Sequence, residues 1–213
     1  MSFPLVVAGI GTDVGKTVVS ALICRQYHLD YWKPVASGSE DGPVDHEIMR
    51  DLLSGGAIKV HEPRYTFKKS LSPHVAASLE GRDIELDALV DIPQSDRGIL
   101  VELAGGVLVP LNDSCTNLDL VAKWSCAVVV VSKHYLGSIN HTLLTLEALR
   151  SRKARVLGVV FNGDELPDTE RIISKIGKVD ILGRVPQLSE VTAATIQGLV
   201  GSKVVQLPDL TRL

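Results

Sequence analysis

The sequence predicts a three-layer α/β fold with a mostly parallel central sheet flanked by helices. Two observations carry this: short apolar runs alternate with segments of helical spacing, and a glycine-rich turn containing a lysine follows the first run. The runs Leu5 to Ala8, Ile99 to Leu103, Ala127 to Val131 and Val156 to Phe161 are rich in β-branched residues. Because they are apolar on both sides of the pleat, they read as central parallel strands covered on both faces. Helical spacing marks Val18 to Gln26, Asp45 to Leu53, His141 to Arg150 and Glu170 to Ile176. Alternation of this kind implies right-handed crossovers and ligand sites at the carboxyl ends of strands. The polar stretches Ser37 to Pro43 and Asn162 to Asp168, each after a predicted strand, are therefore site candidates.

With 213 residues, the chain is long enough to bury a core without disulfide or metal staples, and residues 1–213 are read as one domain. A formal charge of −3 gives no global reason to bind nucleic acid or an anionic membrane, so any anion affinity is local. Cys24, Cys115 and Cys126 form no CxxC pair and read as reduced thiols, with Cys126 buried before a strand. Met1 to Pro4 lacks a basic flank, so no secretory signal is expected. No apolar run approaches the roughly 20 residues of a membrane span, and the expectation is a soluble cytoplasmic protein. The histidines show no HxH or HExxH spacing, which gives zinc little support. Trp32 and Trp124 read as packing residues, because no basic and aromatic interleaving surrounds them.

After the first run comes Gly9-Ile10-Gly11-Thr12-Asp13-Val14-Gly15-Lys16-Thr17, leading into a predicted helix. This is the setting of a P-loop. Glycines let backbone N–H groups turn toward phosphate oxygens, and the helix amino terminus adds donors and a favourable dipole. Lys16 brings charge to the β and γ phosphates, and the Thr17 hydroxyl suits Mg²⁺. The pattern GxxxxGK[ST] would put its first glycine at Ile10, which Gly9 and Gly11 flank instead. The fold class narrows to a P-loop NTPase.

Glu102, at the end of the strand Ile99 to Val101, lies where P-loop folds place a metal-directed carboxylate; the plainer reading is a strand-end acid. Asp45, ahead of a helical stretch, reads equally as a helix cap and as a Mg²⁺ ligand. Lys33 ends a short second strand, placed to offset charge on transferred phosphate, although periodicity alone favours a solvated lysine. Ser37 and Thr12 read as turn residues.

Four stretches together resemble the dethiobiotin synthetase family: Thr12-x-Val14-Gly15-Lys16-Thr17, Lys33-Pro34-Val35-Ala36-Ser37-Gly38-Ser39-Glu40, Val101-Glu102-x-Ala104-Gly105-Gly106 with Pro110-Leu111, and Leu136-Gly137-Ser138-Ile139-Asn140-His141. Ser72-Pro73-His74 and Glu80-Gly81-Arg82 add to the likeness. The resemblance implies a homodimer that joins CO₂ or bicarbonate to 7,8-diaminopelargonate with Mg²⁺ and ATP. Lys16 and Lys33 match its catalytic lysines, and Thr17, Asp45 and Glu102 its metal shell. Asp13, Val14, Gly15, Lys16, Thr17, Val18, Asp45, Glu102, Leu103, Ala104 and Gly105 match its phosphate side. Asn162, Gly163, Pro186, Gln187, Leu188 and Glu190 match its nucleobase loops. Thr12, Lys33, Ser37, Leu136, Gly137 and Asn140 match its substrate contacts, the last three on a dimer face.

The chain departs from the family pattern at Ile10 and Gly11, at Leu103 in place of a glycine, and at Gly163, which interrupts an Asn-Asp pair. The alternatives are a nucleotide-switched partition or regulatory ATPase, and a degenerate paralogue that binds ATP without turnover. A partition ATPase carries an extra lysine where this chain has Gly11, and a degenerate paralogue has no need of Lys16, Lys33, Asp45 and Glu102 together.

Overall fold

The computed structural model describes residues 4–209, so of the amino-terminal segment read above only Pro4 lies within it. The central sheet has seven parallel strands: β1 (Leu5–Gly9), β2 (Asp30–Trp32), β4 (Val60–His61), β6 (Ile99–Gly106), β7 (Ala127–Lys133), β8 (Arg155–Asn162) and β9 (Ile181–Val185), in the order β4-β2-β6-β1-β7-β8-β9. A parallel ribbon of β3 (Val35–Ser37) and β5 (Tyr65–Phe67) stands apart from it. The four expected strands are present, each longer than its apolar run. β6 runs on past Glu102 to Gly106, so this acid is interior to the strand rather than at its end. β1 and β6 pair from Leu5↔Leu100 to Val7↔Glu102, then slip so that Gly9 faces Gly106.

The helices follow from the same patterning. α1 (Lys16–Tyr27) buries Val19, Ala21, Leu22, Ile23 and Cys24, apolar nearly all round because it lies beneath α8 (Ala193–Ser202) and against β1 and β6. α2 (Asp45–Leu52) buries His46, Met49 and Leu52 on one face and exposes Glu47, Arg50 and Asp51. α3 (Pro73–Leu79) and α4 (Leu86–Val90) precede β6, and α5 (Asn117–Lys123) follows it. α6 (Ser138–Ser151) and α7 (Pro167–Gly177) link β7 to β8 and β8 to β9. The chain steps one way from β1 to β2 and the other way from β7 through β9. Right-handed crossovers therefore put α1 on one face of the sheet and α6 and α7 on the other. The direction changes between the adjacent strands β1 and β7, which opens a crevice over their carboxyl ends.

The stretches expected to be loops are shorter than the sequence suggested. Ser37 closes β3, Asn162 closes β8, and Pro167 and Asp168 form the first turn of α7. Backbone pairing draws these residues in, and proline at the start of a helix loses no hydrogen bond. Trp32 and Trp124 are buried with ring centroids 6.2 Å apart, as packing residues should be. Cys126 is buried, which pushes its thiol up to about 12.

The last strand is tied down by the segment that follows α8. Gly183 has φ +144°, and a Cβ there would meet the Val204 oxygen at 2.0 Å; Arg184 N–H donates to that oxygen at 3.1 Å and Gln206 N–H to Leu182 O at 2.7 Å. Gly183→Ala is predicted to cost about 2 kcal/mol, lowering the thermal midpoint by roughly 4–8 °C, as read by calorimetry. An unchanged midpoint would show that this close approach does not anchor the strand.

Candidate active site

The loop between β1 and α1 is shaped by local sterics. Gly9 leaves no room for a side chain, since a Cβ would lie 2.8 Å from both Gly11 O and the Val14 side chain. Asp13 and Gly15 take positive φ, but Ile10 and Gly11 do not. Ile10 continues the strand, donating its N–H to Val131 O at 3.1 Å and burying its side chain, so a glycine is not needed there. Gly15, at the amino cap of α1, has φ +93°. The first turn of α1 carries no acid, and no side chain caps it, which leaves its N–H groups and dipole available to an anion. Lys16 is buried and bridges the loop, donating from Nζ to Gly11 O at 2.9 Å.

At the mouth of this loop three elements bring oxygen ligands together. Thr17 Oγ1 donates to Asp45 Oδ1 at 2.8 Å and lies 3.1 Å from Glu102 Oε1. Lys33, just past β2, places its ammonium against Asp45 Oδ2 and 3.2 Å from Glu102 Oε1. Lys33 is therefore buried rather than the solvated lysine that periodicity favoured, and Glu102 is fully buried. Asp45 is the first residue of α2, not its cap: Val44 holds that position, and its N–H donates to Glu47 Oε2 at 3.0 Å. This frees the Asp45 carboxylate to face Thr17 and Lys33. The three oxygen-bearing side chains make a hard donor set that fits Mg²⁺, which keeps several waters and needs only one or two carboxylates.

Sequence reasoning missed Tyr31. Its hydroxyl donates to Glu102 Oε2 at 3.2 Å, occupying the carboxylate oxygen that Lys33 and Thr17 do not. Nothing in the sequence marks it, because a tyrosine in an apolar strand reads as core.

Burial lowers Lys16 below its usual 10.5 against the pull of Glu102. At Lys33 burial acts the same way, but Glu102 and Asp45 outweigh it and hold the ammonium above 10.5. Burial pushes Asp45 up, yet Lys33 and Thr17 outweigh it and bring the carboxyl below its usual 3.8. Tyr31 is driven well above 10 by burial and by Glu102.

The remaining expected residues fall at the same rim or in the core. Ser37 Oγ is buried with no hydrogen-bond partner among the described residues, and Thr12 is exposed with its hydroxyl beside Gly105. Leu103 is fully buried in the core, so its side chain is not brought to the phosphate loop; it also needs no positive φ, which falls instead at Gly105. Asn162 donates from Nδ2 to Val14 O at 3.1 Å and lies over Gly15, where a Cβ would come within 2.1 Å of Nδ2. Gly163 takes φ +111° and donates its N–H to Val185 O at 2.9 Å, the turn that separates Asn162 from Asp164. Pro186, Gln187 and Glu190 are exposed and Leu188 half-buried after β9, whose Val185 pairs with Asn162. Leu136, Gly137 and Asn140 are exposed at the amino end of α6.

A family model described as an AAA domain matches residues 4–195. The ATP-dependent dethiobiotin synthetase of Nitrobacter hamburgensis is 43% identical over 198 residues, covering 92% of this chain and 92% of that protein. That of Paramagnetospirillum magneticum is 44% identical over 193 residues, with 91% and 92% covered. Among solved structures, a ParA family ATPase from Chlorobium tepidum aligns with TM-score 0.57 at 12% identity, over 96% of this chain and 91% of that one. The septum site-determining protein MinD from Pyrococcus horikoshii, solved with Mg-ADP, gives 0.54 at 11% identity, over 96% and 87%. These two likenesses show the P-loop fold and nothing finer.

Two stability predictions follow from the charge cluster. Lys33→Met strands the buried Glu102 and is predicted to cost about 3 kcal/mol in urea unfolding, partly recovered in the Lys33→Met/Glu102→Gln double variant; additive costs would refute the coupling. Because the folded Asp45 pKa is depressed, its contribution is present above the unfolded value and lost as pH falls through the folded one. Below about pH 5 the midpoint of the wild type should therefore fall more steeply than that of Asp45→Asn, and parallel curves would count against it.

Proposed function

The chain belongs to the ATP-dependent dethiobiotin synthetase family, and from that premise we propose that it closes the ureido ring of dethiobiotin from 7,8-diaminopelargonate, CO₂ and Mg-ATP. The observation that carries this is a second buried lysine, Lys33, set beside the phosphate loop and among the oxygen ligands of Thr17, Asp45 and Glu102. In this reading one substrate amine adds to CO₂, losing a proton and giving a carbamate. A carbamate oxygen attacks the γ-phosphorus of ATP and ADP departs. The second amine then attacks the carbamate carbon, forming the cyclic urea and expelling phosphate with loss of a proton.

Each step creates or moves negative charge, so the demand on the protein is for fixed cations and donors rather than for a nucleophile. Lys16 and the uncapped first turn of α1 hold the β and γ phosphates. Lys33 neutralises the carbamate and the phosphoryl group it receives. Thr17, Asp45 and Glu102 would hold Mg²⁺, which when bound would supply charge neutralisation for the phosphates. The hydroxyls of Ser37 and Thr12 are donors for the substrate, and Asn162 with the 186–190 segment receives the base.

The reading extends to a homodimer whose second subunit completes the substrate site, the whole chain acting as one ligase domain. Its support is the apolar surface at the start of α6, where Leu136 is fully exposed and Tyr135, Ile139 and Leu144 are exposed too. Among the described residues no helix is long and apolar enough to cross a membrane, in keeping with a cytoplasmic biosynthetic enzyme.

The test is ADP release with Mg-ATP and bicarbonate, with and without diaminopelargonate, alongside mass detection of dethiobiotin. Diamine-dependent ADP and dethiobiotin, both lost in a Lys33→Ala variant that still binds ADP, are the expected result; ADP binding without product in the wild type would refute the ligase. Tyr31→Phe is predicted to raise the Mg²⁺ concentration for half-maximal rate by about tenfold, since a ligand carboxylate loses its orienting hydrogen bond.

A further inference from the structure

Away from the phosphates, at the carboxyl ends of β7, β8 and β9, lies a buried charged cluster that the reaction does not use. Glu170 of α7 is 4% exposed. Its carboxylate accepts both terminal nitrogens of Arg184, Nη2 at 2.6 Å on Oε2 and Nη1 on Oε1. Oε1 also meets His134 Nε2 at 2.9 Å and lies 3.4 Å from Leu166 N. The His134 ring stacks on Phe161 with centroids 5.1 Å apart. A buried ion cluster is a weaker source of stability than apolar residues of the same volume, so its value here is geometric.

The geometry it sets is that of Asn162. Lys133, Asn162 and Val185 are partners across β7, β8 and β9, and Phe161 faces Arg184. Asn162 is thus held from below through Phe161 and His134, and its loop is held at Gly163 by Val185 O and at Leu166 by Glu170. Its amide is anchored as well. Nδ2 donates to Val14 O, so Oδ1 and the second N–H point elsewhere with fixed polarity. That polarity complements a base edge with an amino donor beside a ring acceptor, as in adenine, and is opposed to the oxo edge of guanine.

We propose that Glu170, with His134 and Arg184, is a positioning group that orients Asn162 to select a 6-amino purine over a 6-oxo purine. This rests on the nucleotide-binding part of the proposed function, and not on ligase turnover. The experiment compares wild type with Glu170→Gln by calorimetric titration with Mg-ADP and Mg-GDP, followed by steady-state kinetics. The expected result is a loss of ADP affinity and a rise in the KM for ATP of about tenfold, with a matching fall in preference for ADP over GDP. The kcat at saturating ATP and the KM for diaminopelargonate should stay within about twofold.

Unchanged ADP affinity and base preference in a folded variant would overturn the proposal, as would a parallel change in kcat and both KM values, which signals general loosening. If Glu170→Gln does not fold, His134→Gln, which keeps the Glu170–Arg184 pair, carries the same test. A wild type that binds ADP but forms no dethiobiotin sinks the ligase reading alone. One that binds neither nucleotide overturns this inference and that reading together.

Discussion

The site is organised around one buried carboxylate. Glu102 is fully enclosed in the interior strand β6, where an uncompensated charge would cost several kcal/mol. It is compensated from three directions: the Lys33 ammonium, the Thr17 hydroxyl and the Tyr31 hydroxyl. These partners come from the residue after β2, from the first turn of α1 and from within β2. The pairing of β2 and β6, from Asp30↔Ile99 to Trp32↔Val101, sets the depth at which Lys33 emerges beside Glu102. β1, paired to the other edge of β6, sets the height of the phosphate loop. The carboxylate thus links the register of three strands to the mouth of the site.

Much of this was legible in the sequence, for identifiable reasons. The long central strands declared themselves because both faces are covered, so their residues are apolar without alternation. The phosphate loop was legible because its glycines and lysine are consecutive. β4 and β5 were not, being too short to show a period, and β9 was obscured by Gly183 and Arg184 within five residues. The burial of Lys33 could not be read from its neighbours, since the carboxylates that make burial tolerable are 12 and 69 residues away. The same distance problem hid the cluster of His134, Glu170 and Arg184, which come from the residue after β7, from α7 and from β9. Family resemblance supplied what spacing lacked for Lys33 and Asp45, but it carried Leu103 to the site although its side chain belongs to the core.

The fold neighbours sharpen what is particular to this chain. The ParA family ATPase and MinD share its fold at 12% and 11% identity, so the scaffold alone does not identify the reaction. What the scaffold leaves open is set by side chains at the rim: Lys33 among Thr17, Asp45 and Glu102, and a buried hydroxyl at Ser37. Asn162 ties the far half of the sheet to the phosphate loop through Val14. The two halves of the sheet thereby share one frame.

The enclosure of Lys33 has a consequence for how relatives of this protein are judged. Folding by itself selects for that lysine, because removing it leaves Glu102 stranded. A descendant that had lost its reaction would still be under pressure to keep it, so its retention is a poor marker of an active lineage. Ser37 is the opposite case. Among the described residues its buried oxygen has no partner, a burden on the fold of about 1–3 kcal/mol. When the reaction is no longer needed, a small apolar residue at that position becomes the favoured replacement, and drift should begin there.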